Sequence, residues 1–219
     1  MRKRIVIVDY QLGNLFSVNQ ALLNVGANVL ISSDKEAIRS ADAIVLPGVG
    51  AFSDAMRNLH DLDLIDVLHQ KVNIEKRPFL GICLGLQLLF TASKEFGNHK
   101  GLDFISGTVE RFNNQNILDF SKVKVPQISW NTISYPSNRS WKDTPLEMIK
   151  NETDMYFVHS YYVKPLDQDV ILSTTSYGGI EYCSSILKDN IFACQFHPEK
   201  SGERGLDIYR KWIQLNKLI

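Results

Sequence analysis

Short apolar runs at Arg4–Asp9, Ala43–Leu46 and Pro78–Ile82 constrain the first half of this chain more than any other feature. A run with no polar alternation has no face to give to water, so each must be a strand covered on both sides. The segments between them carry the helical period instead. Asn14–Val25 places Leu15, Val18, Ala21, Leu22 and Val25 on one stripe ahead of Gly26, and Asp34–Ser40 begins with Asp34 as N-cap. Ser53–Leu68 reads as a further helix, and the segment from Cys83 to about Thr91 as another; Ala27–Ser32 supplies one more strand. The order βαβαβαβα predicts a doubly wound unit with a mostly parallel sheet and flanking helices.

From residue 108 the pattern shortens. Thr108–Phe112, Val123–Ile128, Thr132–Ser134, Tyr156–Val163, Val170–Tyr177, Ile180–Lys188 and Ile191–Phe196 are strand candidates separated by turn residues, expected as antiparallel additions and returns to the sheet. Gly202–Leu218 closes the chain as an amphipathic helix, with Leu206, Tyr209, Trp212 and Ile213 on its buried side. No linker or repeat interrupts the 219 residues, which predicts a single α/β domain over 1–219.

The 24 basic and 24 acidic side chains cancel, leaving no field to collect nucleic acid or anionic lipid. The longest apolar stretch, Phe79–Phe90, falls well short of the roughly 20 residues a membrane span needs. The basic start, Met1-Arg2-Lys3-Arg4, runs into a strand rather than a signal sequence, so a cytoplasmic location is expected. Cys83, Cys183 and Cys194 lack disulfide or zinc spacing, and neither a metal nor an organic cofactor is expected.

One cysteine stands apart. Gly81-Ile82-Cys83-Leu84-Gly85 joins an apolar strand to an apolar helix, the arrangement of a nucleophile elbow with sulfur in place of oxygen. Such a turn strains the nucleophile's backbone and needs neighbours without Cβ atoms, although a GxCxG alone also describes a structural cysteine. Phe196-His197-Pro198-Glu199 follows another apolar strand, and in extended chain His197 and Glu199 would share a side, the carboxylate orienting the imidazole. Pro47-Gly48-Val49-Gly50 ends a third strand with backbone N–H groups free to approach an oxyanion. Cys183 and Cys194 read as small buried hydrophobes, and His159 as a structural hydrogen-bonding residue.

The segments GICLGLQLLF (81–90), YFVHSY (156–161) and FHPEKS (196–201) resemble class I glutamine amidotransferases. The opening Ile7-Val8-Asp9-Tyr10, Gly13-Asn14-Leu15 and PGVGAF (47–52) narrow this to the glutaminase subunit of imidazole glycerol phosphate synthase, with the match spanning nearly the whole chain. The resemblance implies Cys83 as nucleophile, His197 as base and then acid, and Glu199 as its orienter. It further implies Gln87, Glu95, Ser160 and Tyr161 around the glutamine substrate, and Gly50 and Leu84 as oxyanion donors. The partner it implies is a (β/α)8-barrel cyclase subunit in a heterodimer that takes the ammonia, completes the oxyanion hole, and faces Trp130, Asn131, Tyr156 and Lys200.

One stretch departs from that pattern. Gln127, Ile128 and Ser129 stand where the family more usually has His and Met-Gly before Trp130-Asn131. A paralogue supplying ammonia to another synthase, such as one in surface-sugar biosynthesis, would keep the triad and change this stretch. A partner-free cysteine peptidase and a silent binding module of the same fold are the alternatives from other classes.

Overall fold

Apolar strands at the centre of the chain's first half pair side by side, as their composition demands. The computed structural model describes residues 3–112, 124–137 and 139–219. Strands β1 (Ile5–Val8), β2 (Val29–Ser32), β3 (Ala43–Gly48), β4 (Phe79–Cys83) and β13 (Ile191–Cys194) form a parallel block in the order β2-β1-β3-β4-β13. Beyond β13 the sheet continues through β12 (Ile180–Lys188), β10 (Tyr161–Pro165), β7 (Ile105–Arg111), β5 (Phe90–Ser93) and β6 (His99–Lys100). Strand β11 (Ile171–Tyr177) pairs with β12, making an 11-stranded mixed sheet among the described residues. The expected antiparallel additions are there, though β5 and β7 run parallel to each other.

Both faces of the parallel block are buried. Along β1, Val6 and Val8 join one apolar layer while Ile5 and Ile7 join the other, the alternation of a strand covered on two sides. The first layer takes in α2 (Lys35–Arg39), α3 (Phe52–Asp61) and α4 (Ile65–His69); the second takes in α1 (Leu15–Asn24) and α6 (Gly202–Leu215). Asp34 caps α2 as expected, its carboxylate accepting from Ala37 N at 2.9 Å. In α6, Tyr209, Trp212 and Ile213 are buried and Leu206 half-buried.

Four local readings need correction. The helix expected over Ser53–Leu68 breaks into α3 and α4, because Asp63 turns to φ 51° and Leu64 N bonds back to Leu59 O. The helix after Cys83 is a single turn, α5 (Leu84–Gln87); Phe90 then enters β5, where pairing with β7 satisfies a backbone that its apolar sequence alone left ambiguous. The strand expected over Tyr156–Val163 bends at Ser160, so β9 (Thr153–His159) and β10 lie in different sheets. The candidates Val123–Ile128 and Thr132–Ser134 merge into β8 (Gln127–Ile133), which pairs antiparallel with β9 as a separate ribbon; Val123 lies outside the described residues.

Candidate active site

The parallel strands β3, β4 and β13 point their C-terminal ends at one place, the edge of an α/β sheet where ligand sites form. Cys83 ends β4 and opens α5 with φ 55° and ψ −108°, a backbone conformation rarely occupied by any residue with a side chain. The turn is possible because α5 lies close against β3: a Cβ at Gly85 would sit 1.8 Å from Leu46 O. Cys83 is 6% exposed and lines a cavity of about 260 Å³ together with Gly50, Leu84, Gln87, Glu95, Ser160 and Tyr161. The residues that the resemblance implied around substrate and oxyanion, Gln87, Glu95, Ser160, Tyr161, Gly50 and Leu84, therefore line one space.

The histidine and glutamate meet beside it. His197 Nδ1 lies 2.7 Å from Glu199 Oε1, with both side chains almost wholly buried. Their convergence comes from a short 3-10 turn at Pro198–Lys200 rather than from the pleat of an extended strand. The turn is pinned from beneath: His197 N donates to Tyr156 O at 2.9 Å, and Ser201 Oγ to His197 O at 2.7 Å. His197 Nε2 has no nitrogen or oxygen partner among the described residues and is left facing Cys83. Burial opposes a charge on this ring, but the adjacent Cys83 and then Glu199 outweigh it and push the imidazole up to about 10. Proton affinity gathers at the open nitrogen.

The remaining cavity residues have defined partners. Gln87 Nε2 donates to Tyr161 O and to Gln195 Oε1, both at 3.0 Å, and Gln195 Nε2 lies 3.5 Å from Cys83 Sγ. The Glu95 carboxylate accepts the Phe52 N–H at the start of α3; burial raises its carboxyl above the usual range. Gly50 adopts φ +118°, in the glycine-favouring region, and Leu84, the first residue of α5, lines the same cavity. Tyr10, buried below, donates from its hydroxyl to Pro47 O at 2.7 Å and braces that strand end.

Gln195, Tyr10 and Ser201 are the supports that sequence inspection missed. Gln195 sits two residues before His197, but its contact with Cys83 spans 112 positions, which no local spacing encodes. His159 behaves as expected of a structural group, with Nδ1 2.8 Å from Tyr161 O, although it also touches the cavity. Cys183 and Cys194 are buried, and burial raises both thiols.

Three of the four residues expected to face a partner lie together. Trp130 is 55% exposed with its ring 6.0 Å from Tyr156, Lys200 Nζ lies 5.6 Å over Tyr156, and Tyr156 is 6.4 Å from His197. Asn131 turns to the other face of β8, donating from Nδ2 to Ser176 O at 2.9 Å.

The fold and this constellation are those of a class I glutamine amidotransferase, and the glutamine amidotransferase class-I family matches residues 6–214. More narrowly, the chain belongs to the family of imidazole glycerol phosphate synthase subunit HisH. It is 45% identical over 215 residues to that subunit of Caldanaerobacter subterraneus subsp. tengcongensis, covering 97% of this chain and 98% of the relative. Against the same subunit of Aquifex aeolicus it is 47% identical, covering 94% and 93%. Among solved structures, PurLQS from Thermotoga maritima shares the fold, with TM-score 0.70 at 19% identity over 98% of this chain and 99% of that one.

Proposed function

We infer that this chain is the glutaminase subunit of an imidazole glycerol phosphate synthase, a single amidotransferase domain hydrolysing glutamine to glutamate and ammonia. The observation that carries the mechanism is His197 Nε2, held in a buried imidazole whose other nitrogen is occupied by Glu199, open beside Cys83. With the sulfur's proton held on His197, Cys83 attacks the glutamine γ-carboxamide carbon, and the oxyanion is met by backbone N–H groups at Gly50 and Leu84. The tetrahedral intermediate expels ammonia with a proton from His197, leaving a thioester. Water, deprotonated by His197, then releases glutamate. Gln87, Glu95, Ser160 and Tyr161 bind the amino-acid end of the substrate.

Ammonia protonated in bulk water is no nucleophile, so to be used it must be handed on across a closed interface. Trp130, Tyr156 and Lys200, with Asn131 fixing the ribbon behind them, form the surface for a (β/α)8-barrel cyclase in a heterodimer. That partner uses the ammonia to make imidazole glycerol phosphate and releases an aminoimidazole carboxamide ribotide, within a cytoplasmic histidine pathway. The names of the relatives favour this acceptor over one in surface-sugar biosynthesis, and no helix among the described residues is long and apolar enough to cross a membrane.

A glutamine-like diazoketone tests the assignment. Covalent labelling of Cys83 is expected, lost in C83A, with glutamate release stimulated by a histidine-pathway cyclase. Absence of labelling refutes the glutaminase, and labelling without stimulation by any such cyclase refutes the acceptor.

A further inference from the structure

Behind the cavity wall, Gln127, Tyr182 and His159 form a chain of buried polar groups that the hydrolytic steps leave unused. All three are 6% exposed or less. His159 Nδ1 lies 2.8 Å from Tyr161 O and its Nε2 3.2 Å from Tyr182 Oη. Tyr182 Oη in turn lies 3.0 Å from Gln127 Oε1, while Gln127 Nε2 is buried with no partner.

Counting protons fixes the direction of this chain. The Tyr161 carbonyl can only accept, so Nδ1 of His159 carries a hydrogen. Burial among the rings of Phe112, Phe157 and Tyr182 lowers the imidazole to about 4, so at neutral pH it has that one N–H and Nε2 is an acceptor. Tyr182 must then donate to Nε2, and its single hydrogen cannot also serve Gln127 Oε1. A half-turn of the Gln127 amide about its terminal torsion exchanges oxygen and nitrogen in place. The amide N–H then donates to Tyr182 Oη, and the unpartnered position holds an acceptor instead of a donor. Each of the three bonds has one hydrogen.

We propose that Gln127, Tyr182 and His159 form a one-directional hydrogen-bond chain, ending on the Tyr161 carbonyl, in which Tyr182 is a positioning residue for the glutamine pocket and Gln127 orients it. Tyr161 O is the junction: it also accepts from Gln87 Nε2, which donates to Gln195 Oε1, whose Nε2 approaches Cys83 Sγ. The chain thus begins at Gln127, the first residue of the stretch that departs from the family pattern, next to exposed Ile128, and ends at the pocket wall. Its role in binding rests on the reading that this cavity takes glutamine; its proton arrangement does not.

Two measurements test the proposal separately. Nitrogen-15 NMR of histidine-labelled full-length chain, with the signal assigned through H159Q, is expected to show His159 as the neutral Nδ1–H tautomer; an Nε2–H tautomer or an imidazolium at neutral pH overturns the chain. In the complex with the cyclase, Y182F is expected to raise KM for glutamine about fivefold, the effect of one lost neutral hydrogen bond, with kcat within twofold. Q127L, which removes only the outermost link, is expected to raise KM less than Y182F. An unchanged KM in Y182F, a loss confined to kcat, or a larger effect of Q127L overturns the positioning role. Should wild-type complex release no glutamate, the glutaminase reading falls while the tautomer result stands on its own.

Discussion

Two residues define the site's energetics, Cys83 by its backbone and His197 by its proton affinity. A non-glycine residue at φ 55° and ψ −108° holds strain of order 1–3 kcal/mol that the rest of the fold must offset. C83G is therefore expected to abolish turnover yet be more stable than C83A by roughly 1 kcal/mol, read by thermal denaturation, since both lose the sulfur and only glycine relieves the strain. For His197 the folded value, about 10, lies above the ordinary 6.5. Its contribution to stability is thus complete below about 6.5 and lost as pH rises through about 10. C83A removes the largest favourable contribution to that charge, so the His197 titration followed by NMR is expected to move downward and the alkaline loss of stability to shift with it. E199Q retains a hydrogen-bonding group of the same shape but removes the charge; a fall in kcat of at least tenfold with the fold intact is the expected result of a kinetic assay.

At the scale of elements, α6 decides where the His-Pro-Glu turn sits. A Cβ at Gly205 would lie 1.8 Å from Pro198 O, so helix and turn touch backbone to backbone. Alanine is the better helix former by about 1 kcal/mol, but here it must push α6 from the turn that carries Glu199. G205A is expected to lower stability by about 2 kcal/mol or more, and to lower kcat as well, when denaturant melts and glutaminase assays are compared. Improved stability would mean that the helix yields without moving the turn. Tyr209, one turn further along α6, is fully buried, and burial followed by the charge of Glu199 raises its hydroxyl well above the ordinary range.

For the whole molecule, the decisive surface is the β8–β9 ribbon, which stands outside the main sheet yet carries both pocket wall and the proposed partner face. Its one face is exposed at Ile128 and Trp130, and its other buries Gln127 and Ile133. Large aromatic side chains at the centre of an interface commonly contribute 2 kcal/mol or more. W130A is accordingly expected to weaken cyclase binding at least tenfold by calorimetry, and an unchanged Kd would move the interface elsewhere.

How much of this was legible in the sequence differs by element. The strands β1, β3 and β4 and the elbow at Cys83 announce themselves, because a strand buried on both faces must be apolar throughout and a sharp turn needs glycine beside it. The His197–Glu199 pairing was readable as residue types, though the turn that joins them is a 3-10 turn and not a strand. Such determinants are local: they depend on what a residue's own neighbours permit. What only the tertiary structure decided is where the chain stops obeying local preference. Leu88-Leu89-Phe90 is as apolar as a buried helix, yet Leu88 and Leu89 turn and Phe90 opens β5, where β7 pairs with it; Ser160 bends because two sheets compete for its neighbours. Gln195 approaches Cys83 and Tyr182 approaches Gln127 across 112 and 55 positions. Those contacts exist because β13 lies beside β4 and because the β8–β9 ribbon folds back over the sheet, and hydrogen bonds between such distant residues leave no period in the sequence to read.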